Sequence, residues 1–570
     1  MKKLLCLVLG IALLLSVAAG CGAAPDNAGG ESGLPASSAQ GADASAGAPA
    51  GDLSPITFTV YIGDAQVNAD NWESPVAKEI TKKTGVTLQI EYVVSGDEKQ
   101  KISLMAASGD YPDLIMCKNS THIMKDVGGL QKLDELIDQY GPNIKKFYGD
   151  YFNRLKYSKD DPSIYILGGY ELNKENMEPD TGFELQHAVV KALGYPKIRT
   201  VTDYENAIKA YLEKNPTIDG QKTIGLSLLA DDWRALISVT NPACFATGGS
   251  DDGEWYVNQE DMSVTRHLLR PEEREYFRWL NHMNAEGLLD PASFVQKYDE
   301  YKAKIATGRV LGLIDARWEA SEPITALRQA GKEDRMYGWY PVTMNENIKF
   351  PEYVPTGYRP GYGLSITTKC KDTKRAMEFL DWFHTEEAQI LTHWGVEGVH
   401  YDIVDGKRVM KDEFIEMQKT DPQFSRKTGI TLYEYPFPQC GNMVLDSNGQ
   451  SIEAFATLDA IKSRQTPVEN EILKAYGVTC WKELYPQSNE FKPKPYAAAW
   501  LISMDDPDYT TRENKIQQLG YKMIPAAILA KPSDFDAKWD AFVKAIKDAG
   551  VEENTKMFEA RLKTVADLWN

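Results

Sequence analysis

The sequence lacks the short motifs that mark several large enzyme classes. Its 570 residues hold no G-x-S-x-G nucleophile motif, no P-loop, no G-x-G-x-x-G fingerprint and no H-E-x-x-H metal motif. No internal repeat is evident either. Catalysis would therefore have only generic carboxylates to rely on, and this favours a protein that binds its target without converting it.

Cysteine and histidine are scarce, with seven of each, and neither is spaced for a metal site. No C-x-x-C occurs, so we expect buried, inert thiols. His384, His393 and His400 lie near Glu397 at spacings that alternate between faces, which favours surface or capping histidines. The segment Asp446 to Gly449 lacks the later ligands of a calcium loop and predicts a turn. We predict no cofactor and no metal.

Basic residues are in the minority, which excludes several classes of partner. Lys and Arg number 63 against 82 Asp and Glu, and the formal net charge is −19. Nucleic acid and anionic lipid surfaces need a basic face, so neither is expected as an electrostatic partner. The hydrophobic fraction of 43% is ordinary for a folded protein, and the length allows two or more domains.

The longest apolar run is at the N-terminus. Lys2 and Lys3 precede the apolar segment 4–19, which is too short for a membrane span and is typical of an export signal. The following Ala18-Ala19-Gly20-Cys21 resembles a bacterial lipobox, so residues 1–20 are a predicted signal peptide and Cys21 a predicted diacylated residue. Residues 21–53 then form a predicted flexible tether, because Ala, Gly, Ser and Pro dominate there.

The folded part starts near Pro55 with an alternating strand and helix pattern. Predicted strands 57–62, 86–92 and 113–117 are separated by predicted helices, the first capped by Ser74 and ended by Gly85. This β-α-β-α-β order implies parallel strands with right-handed crossovers. Further strands are predicted at 223–228 and 309–314, with helices at 202–212 and 272–284 between and around them.

Three stretches carry distinctive motifs, namely GYGLSI, KCKDTKRA, MEFLDWF, TEEAQ and WGVEGVHY within 356–401, DGEWYVNQED and RPEEREYFRWLNHMNAEGLLDP within 251–291, and ASGDYPDLIM at 107–116. In this order and spacing, they resemble the solute-binding proteins of bacterial ABC importers, family 1, the sugar-binding group related to maltose-binding protein. The resemblance implies an α/β, two-lobed periplasmic-binding-protein-like fold with mainly parallel sheets and hinge strands. It also implies a first lobe from 54–165 and 342–395 and a second from 166–341 and 396–570.

In an open α/β sheet, ligands bind beyond the carboxyl ends of the strands. Aromatic side chains can cover the apolar face of a sugar, and charged or amide groups can bind its hydroxyls. We therefore predict ligand-binding roles for residues that follow strands or precede the GYGLSI strand. These residues are Trp72, Lys118, Asn119, Trp233, Arg234, Trp318, Tyr358 and Arg359. The stacking role of Trp318 is implied by the resemblance.

Together these features predict a monomeric, lipid-anchored receptor outside the cytoplasm. By resemblance, it would bind a small-molecule solute between its lobes and deliver it to ABC permease subunits, and the favoured solute is an oligosaccharide. Two alternatives stay open. One is a receptor of the same fold for peptides or another solute, and the other is a secreted glycoside hydrolase, which would need two carboxylates across a scissile bond.

Overall fold

The computed structural model describes residues 53–66, 69–94, 98–173, 176–441 and 444–570. The predicted signal peptide and Cys21 lie outside these ranges. Within them, the strands are β1 Ile56–Ile62, β2 Val86–Tyr92, β3 Leu114–Met116, β4 Glu171–Asn173, β5 Thr181–Gln186, β6 Thr217–Ile218, β7 Gln221–Lys222, β8 Ile224–Ser227, β9 Trp255–Val257, β10 Val264–Arg266, β11 Val310–Ala316, β12 Tyr337–Tyr340, β13 Ser365–Ile366, β14 Tyr401–Val404, β15 Lys407–Met410 and β16 Gln439–Gly441.

The α-helices of the same ranges alternate with the strands up to α13 and dominate afterwards. They are α1 Pro75–Thr84, α2 Glu98–Ser108, α3 Thr121–Asp126, α4 Asp134–Tyr140, α5 Pro142–Tyr148, α6 His187–Ala192, α7 Val201–Lys214, α8 Asn241–Ala246, α9 Pro271–Ala285, α10 Tyr298–Ala306, α11 Arg317–Gln329, α12 Thr373–Phe383, α13 Glu386–Trp394, α14 Asp412–Thr420, α15 Phe424–Thr428, α16 Leu458–Arg464, α17 Pro467–Tyr476, α18 Pro507–Ile528, α19 Phe535–Asp548 and α20 Val551–Trp569.

The first four-stranded sheet has the order β13-β3-β1-β2. β1 runs parallel to β2 and β3, whereas β13 pairs antiparallel with β3. The predicted local signals are confirmed here, since the Ser74 hydroxyl accepts a hydrogen bond from Ala77 N and Gly85 ends α1 with a φ of 71°. Glycine is required at that position, because an added Cβ would lie 2.5 Å from the carbonyl oxygen of Leu53.

The second four-stranded sheet has the order β12-β5-β11-β8. β11 is parallel to β8 but antiparallel to β5, and β5 is antiparallel to β12, so this sheet is mixed. Strands β8 and β11 and helices α7 and α9 match the predicted elements within a few residues. β5 was not predicted, because its TGFELQ sequence alternates poorly and is buried over almost its whole length.

Each sheet has its own hydrophobic core. Phe58, Leu114 and Phe379 belong to the core of the first sheet, and Phe183, Leu226 and Leu311 to that of the second. Side chains of the segment 401–454 also pack into the first core, whereas the prediction assigned residues from 396 onward to the second lobe. The lobe boundaries remain a proposal, and this packing favours a later return of the chain to the second lobe.

The C-terminal helices pack into two different cores. Ile524 of α18 and Trp539 of α19 belong to the core of the second sheet, whereas α20 packs with β9 and β10 in a smaller core. Trp255 of β9 stacks on Phe558 of α20 with ring centroids 4.5 Å apart. The same small core contains Tyr496 and Leu562. Among the described residues, no helix combines the length and apolar character needed to cross a bilayer. The described cysteines are unpaired, and four of the five are buried, in accord with the predicted inert thiols.

Candidate functional site

Four partly exposed aromatic rings meet beyond the carboxyl ends of the first sheet. The Tyr170 ring lies 5.7 Å from that of Tyr362, 5.9 Å from that of Tyr435 and 5.9 Å from that of Trp500. Tyr362 and Trp500 are 6.2 Å apart, so the rings form one continuous surface, which we call the aromatic platform. Such spacing is within the range of interacting ring pairs.

Polar side chains from the ends of β1 and β3 border the aromatic platform. The Lys118 ammonium lies 3.0 Å from the Asp64 carboxylate, and the Tyr362 hydroxyl donates to Asn119 Oδ1 at 2.6 Å. The Tyr435 hydroxyl donates to the same Asp64 carboxylate at 3.3 Å. Lys118 and Asn119 are therefore placed beside exposed rings, as the position of the strand ends predicted.

Burial and nearby acidic groups keep the phenols of Tyr362 and Tyr435 protonated. Burial, followed by the charge of Asp64, raises the pKa of Tyr362. Burial raises the pKa of Tyr435 as well, and Tyr170 and Asp64 add to the shift. Both hydroxyls therefore act as neutral hydrogen-bond donors or acceptors throughout the physiological pH range.

A cavity of about 460 Å³ opens at the platform. This volume is in the range of small-molecule sites. Its wall combines residues of the first sheet's loops with residues of the β9 region and the C-terminal helices, including Lys118, Asn119, His122, Arg154, Lys156, Tyr157, Glu254, Trp255, Tyr358, Tyr362, Trp500, Asp505, Glu513, Arg561 and Trp569.

A second aromatic surface follows the ends of β8 and β11. Trp233 and Trp318 stack with centroids 5.8 Å apart and planes 22° from parallel, and their exposed fractions are 49% and 52%. The Arg234 guanidinium lies 4.9 Å from the Trp233 ring centroid and forms ion pairs at 2.9 Å with Asp232 and Glu319. We call Trp233 and Trp318 the tryptophan pair. Trp233, Arg234 and Trp318, which the sequence predicted as ligand-binding residues, are thus adjacent in space.

Three of the predicted ligand-binding residues are buried instead. Trp72 is 6% exposed, and its indole N–H donates to Thr81 Oγ1 at 2.9 Å, so it is a core residue. Tyr358 is fully buried and packs against Tyr148 with centroids 4.8 Å apart, beneath the cavity surface. Neither side chain is exposed in this conformation, because hydrophobic packing takes precedence over loop position, and the two ligand-binding roles stay predictions. Arg359 is 7% exposed, and its guanidinium lies 5.0 Å from the Tyr170 ring centroid.

Sequence reasoning missed most of the platform. Tyr170 and Tyr435 lie in loops of distant segments, and Trp500 lies in the short 3-10 helix Ala499–Leu501. The local signal of the two tyrosines is a neighbouring Gly or Pro, as in Gly168-Gly169-Tyr170 and Tyr435-Pro436, and Trp500 lacks even that signal. In a chain with 29 Tyr and 12 Trp, that signal does not distinguish ligand-facing rings from packed ones.

The histidines near α13 are buried rather than superficial. Burial lowers the pKa of His384 to about 3 and that of His393 and His400 to about 4. Asp446 Oδ1 accepts from the backbone N–H groups of Asn448 and Gln450, so the segment is the predicted turn.

One buried trio among the described residues has its potential metal-binding atoms within 4.8 Å of one another, namely Cys244, His267 and Glu273. Both Glu273 oxygens are already engaged, one by His267 Nδ1 at 2.5 Å and the other by the Arg270 guanidinium at 2.9 Å. Burial also raises the pKa of the Cys244 thiol, which opposes thiolate formation. The trio therefore fits an internal hydrogen-bond network better than a metal centre.

Comparison with known proteins places this geometry in a family. The chain is 24% identical over 353 residues to lipoprotein LipO of Bacillus subtilis. The alignment covers 59% of this chain and 65% of that protein. It is 23% identical over 356 residues to the polygalacturonan/rhamnogalacturonan-binding protein YtcQ of the same organism, with the same coverage. The match thus spans 65% of the length of these curated relatives.

Structural similarity covers more of the chain. An HMO-binding, ABC-transporter-associated solute-binding protein of Bifidobacterium longum infantis has a TM-score of 0.64 at 15% identity, covering 90% of this chain and 99% of that one. This likeness confirms the predicted two-lobed α/β fold. The family described as bacterial extracellular solute-binding protein matches residues 76–398. The chain therefore belongs to the bacterial extracellular solute-binding proteins, as its motifs predicted.

Proposed function

We propose that the protein is the carbohydrate receptor of an ABC importer and is anchored to the outer face of the cell membrane through Cys21. The observation that carries the proposal is the presence of partly exposed aromatic surfaces at the strand ends of both sheets. One is the aromatic platform and the other is the tryptophan pair. Rings of this kind cover the C–H face of a sugar at low entropic cost.

Hydroxyl groups of the sugar would meet the polar side chains beside the rings. On the first sheet these are Asp64, Lys118 and Asn119, and on the second Asp232 and Arg234. Charged partners make shorter and stronger hydrogen bonds to hydroxyls than neutral partners do. A ligand that binds aromatic and polar groups of both lobes makes more contacts in the closed form than in the open form. Such a ligand therefore stabilises the closed form.

The acids of the cavity support binding without turnover. A glycosidase needs one carboxyl as proton donor and a second as nucleophile or base. Glu254 and Glu513 both pair with the buried Arg266 guanidinium, at 2.5 and 2.6 Å. Because one guanidinium engages both carboxylates, the two acids are not free to take the two separate roles that hydrolysis requires.

The names of the relatives are consistent with this role. YtcQ is named for polygalacturonan and rhamnogalacturonan, LipO is named a lipoprotein, and the Bifidobacterium protein is described as ABC-transporter associated. For this chain, a diacyl anchor on Cys21, permease subunits and a separate ATPase are the corresponding proposed partners. A monomeric receptor fits delivery of one ligand at a time.

The test is titration calorimetry of the soluble body, residues 54–570, against an oligosaccharide library, with mass spectrometry of each mixture afterwards. We expect saturable binding of at least one oligosaccharide and full recovery of the intact ligand. Release of shortened products, abolished by replacing a single Asp or Glu, would identify a hydrolase instead. Saturable binding of peptides with no response to any sugar would identify a peptide receptor.

A further inference from the structure

The charges around the cavity differ in sign from those of the chain as a whole. The chain carries a net charge of −19, yet the cavity wall holds the four cations Lys118, Arg154, Lys156 and Arg561. The wall acids are Glu254, Asp505 and Glu513. An acidic protein with a cation-lined cavity concentrates ligands of negative charge there.

The wall acids have partners other than these four cations. Glu254 and Glu513 share Arg266, which is itself 1% exposed. Asp505 accepts a hydrogen bond from the Tyr157 hydroxyl at 2.8 Å and lies 3.8 Å from His122 Nδ1. Within the described part of the chain, Lys118 is the one of these four cations with a carboxylate at ion-pair distance, that of Asp64.

Arg154 is a buried cation that the protein does not balance with an acid. Its side chain is 5% exposed, and one terminal nitrogen donates to the carbonyl oxygens of Thr356 and Tyr358 at 2.7 and 2.6 Å. No described carboxylate is among its partners, and burial lowers the pKa of its guanidinium. A buried charge without a counter-ion is costly, so a ligand anion nearby would be stabilising.

Lys156 and Arg561 are half-buried on the same wall. Lys156 follows α5 on the first-sheet side, and Arg561 belongs to α20. Among the described residues, neither side chain has a hydrogen-bond or ion-pair partner. Burial and the charge of Asp505 raise the pKa of Tyr157, and the charge of Arg561 opposes this shift, so Arg561 lies within electrostatic range of that phenol. Two cations from distant elements thus line the same cavity.

We infer that the ligand is an anionic oligosaccharide whose carboxylate is bound by Arg561 and Lys156, with its sugar rings on the aromatic platform. The inference rests on the proposed function and adds the chemical class of the sugar. Guanidinium groups match carboxylates with paired hydrogen bonds, and an ammonium adds a flexible point charge. The positive charge of the buried Arg154 guanidinium attracts the same carboxylate from behind the cavity wall, without direct contact.

The experiment compares acidic trisaccharides with neutral counterparts of the same length. Oligomers of galacturonate, mannuronate and glucuronate are each measured beside their carboxyl-reduced forms, and triglutamate represents an acidic peptide. The proteins are the wild-type body, the double variant Lys156→Gln/Arg561→Gln and the matched control Lys538→Gln/Arg426→Gln. Lys538 and Arg426 are exposed and lie outside the cavity wall, so the control removes the same two charges.

We expect one acidic trisaccharide to bind the wild type and the control at least tenfold more tightly than its reduced form. In the cavity variant that preference should fall to within threefold, while the melting temperature should match that of the control. A wild type that binds reduced sugars equally well or better overturns the inference but leaves the proposed function intact. Binding of triglutamate alone, or of no sugar of either kind, contradicts both. An unchanged preference in the cavity variant also overturns the assignment.

Discussion

Replacing Trp318 by Ala separates ligand contact from packing at the tryptophan pair. The Trp318 side chain is 52% exposed, and its ring contact is with Trp233. No hydrogen bond of its indole to a described residue is present. Alanine substitution at aromatic platforms that stack planar ligands costs about 1–3 kcal/mol per ring. At about 1.4 kcal/mol per tenfold change, Trp318→Ala should weaken carbohydrate binding by a factor of about 5 to 150.

The same substitution should barely change stability. The substitution removes one ring pair at a surface position. Such a pair stabilises the folded state by about 0.5–1.5 kcal/mol beyond the effect of area burial. Trp72→Ala provides the contrast, because that ring is 6% exposed and should cost about 3–5 kcal/mol of unfolding free energy. Calorimetric titration with the identified sugar gives the dissociation constants, and denaturant unfolding gives the stabilities.

Two outcomes would refute the reasoning. A loss of more than about 2 kcal/mol of stability in Trp318→Ala with unchanged affinity would make Trp318 a packing residue. Unchanged affinity together with unchanged stability would place the tryptophan pair outside the ligand's reach, even though it lies at the strand ends.

Four further predictions concern other parts of the chain. Trp500→Ala should weaken sugar binding by a factor of about 5 to 150, because it removes a ring of the aromatic platform. Calorimetric titration measures this change, and binding equal to that of the wild type would exclude the ring from the site. Burial lowers the pKa of His384 to about 3 and that of His393 to about 4. As the pH drops from 6.5 towards 4, the unfolded chain therefore binds protons before the folded chain does, and the free energy of unfolding should fall. A free energy of unfolding that stays constant over this range would contradict the burial of neutral histidines. Burial, with the charge of Glu319, raises the pKa of Asp315 to about 7, so the folded state keeps a proton that the unfolded state has lost. Stability from this group is lost as pH rises through about 7, and Asp315→Asn should raise the melting temperature at pH 8 but leave it unchanged at pH 4. Cys21→Ala should move the exported full chain from the membrane fraction to the soluble fraction, as measured by fractionation and blotting.

Local elements of this fold could be predicted because their signals are local. The cap at Ser74, the left-handed Gly85 and the alternation through β2 each depend on a few neighbouring residues. The antiparallel strand β5 could not be predicted in this way. Its burial on both faces removes the alternation that identifies a strand.

The site was predictable only where chain position and exposure agree. Trp233, Arg234 and Trp318 follow strand ends and remain at the surface. Trp72 also follows a strand but packs against Tyr433, with ring centroids 5.0 Å apart, because tertiary contacts decide which rings are covered. The aromatic platform was missed for the complementary reason, since its rings converge only once four separate loops are in place.

The position of β13 has a consequence for how the chain reaches its final state. This strand pairs Ser365 with Ile115, after the whole of the second sheet has been passed. Long-range pairings of this kind form slowly, because a long loop must close before the contact is gained. The N-terminal third is therefore synthesised with an unfilled sheet edge. It stays vulnerable to aggregation and proteolysis until its missing strand follows, which makes an extracytoplasmic chaperone or foldase advantageous for its biogenesis.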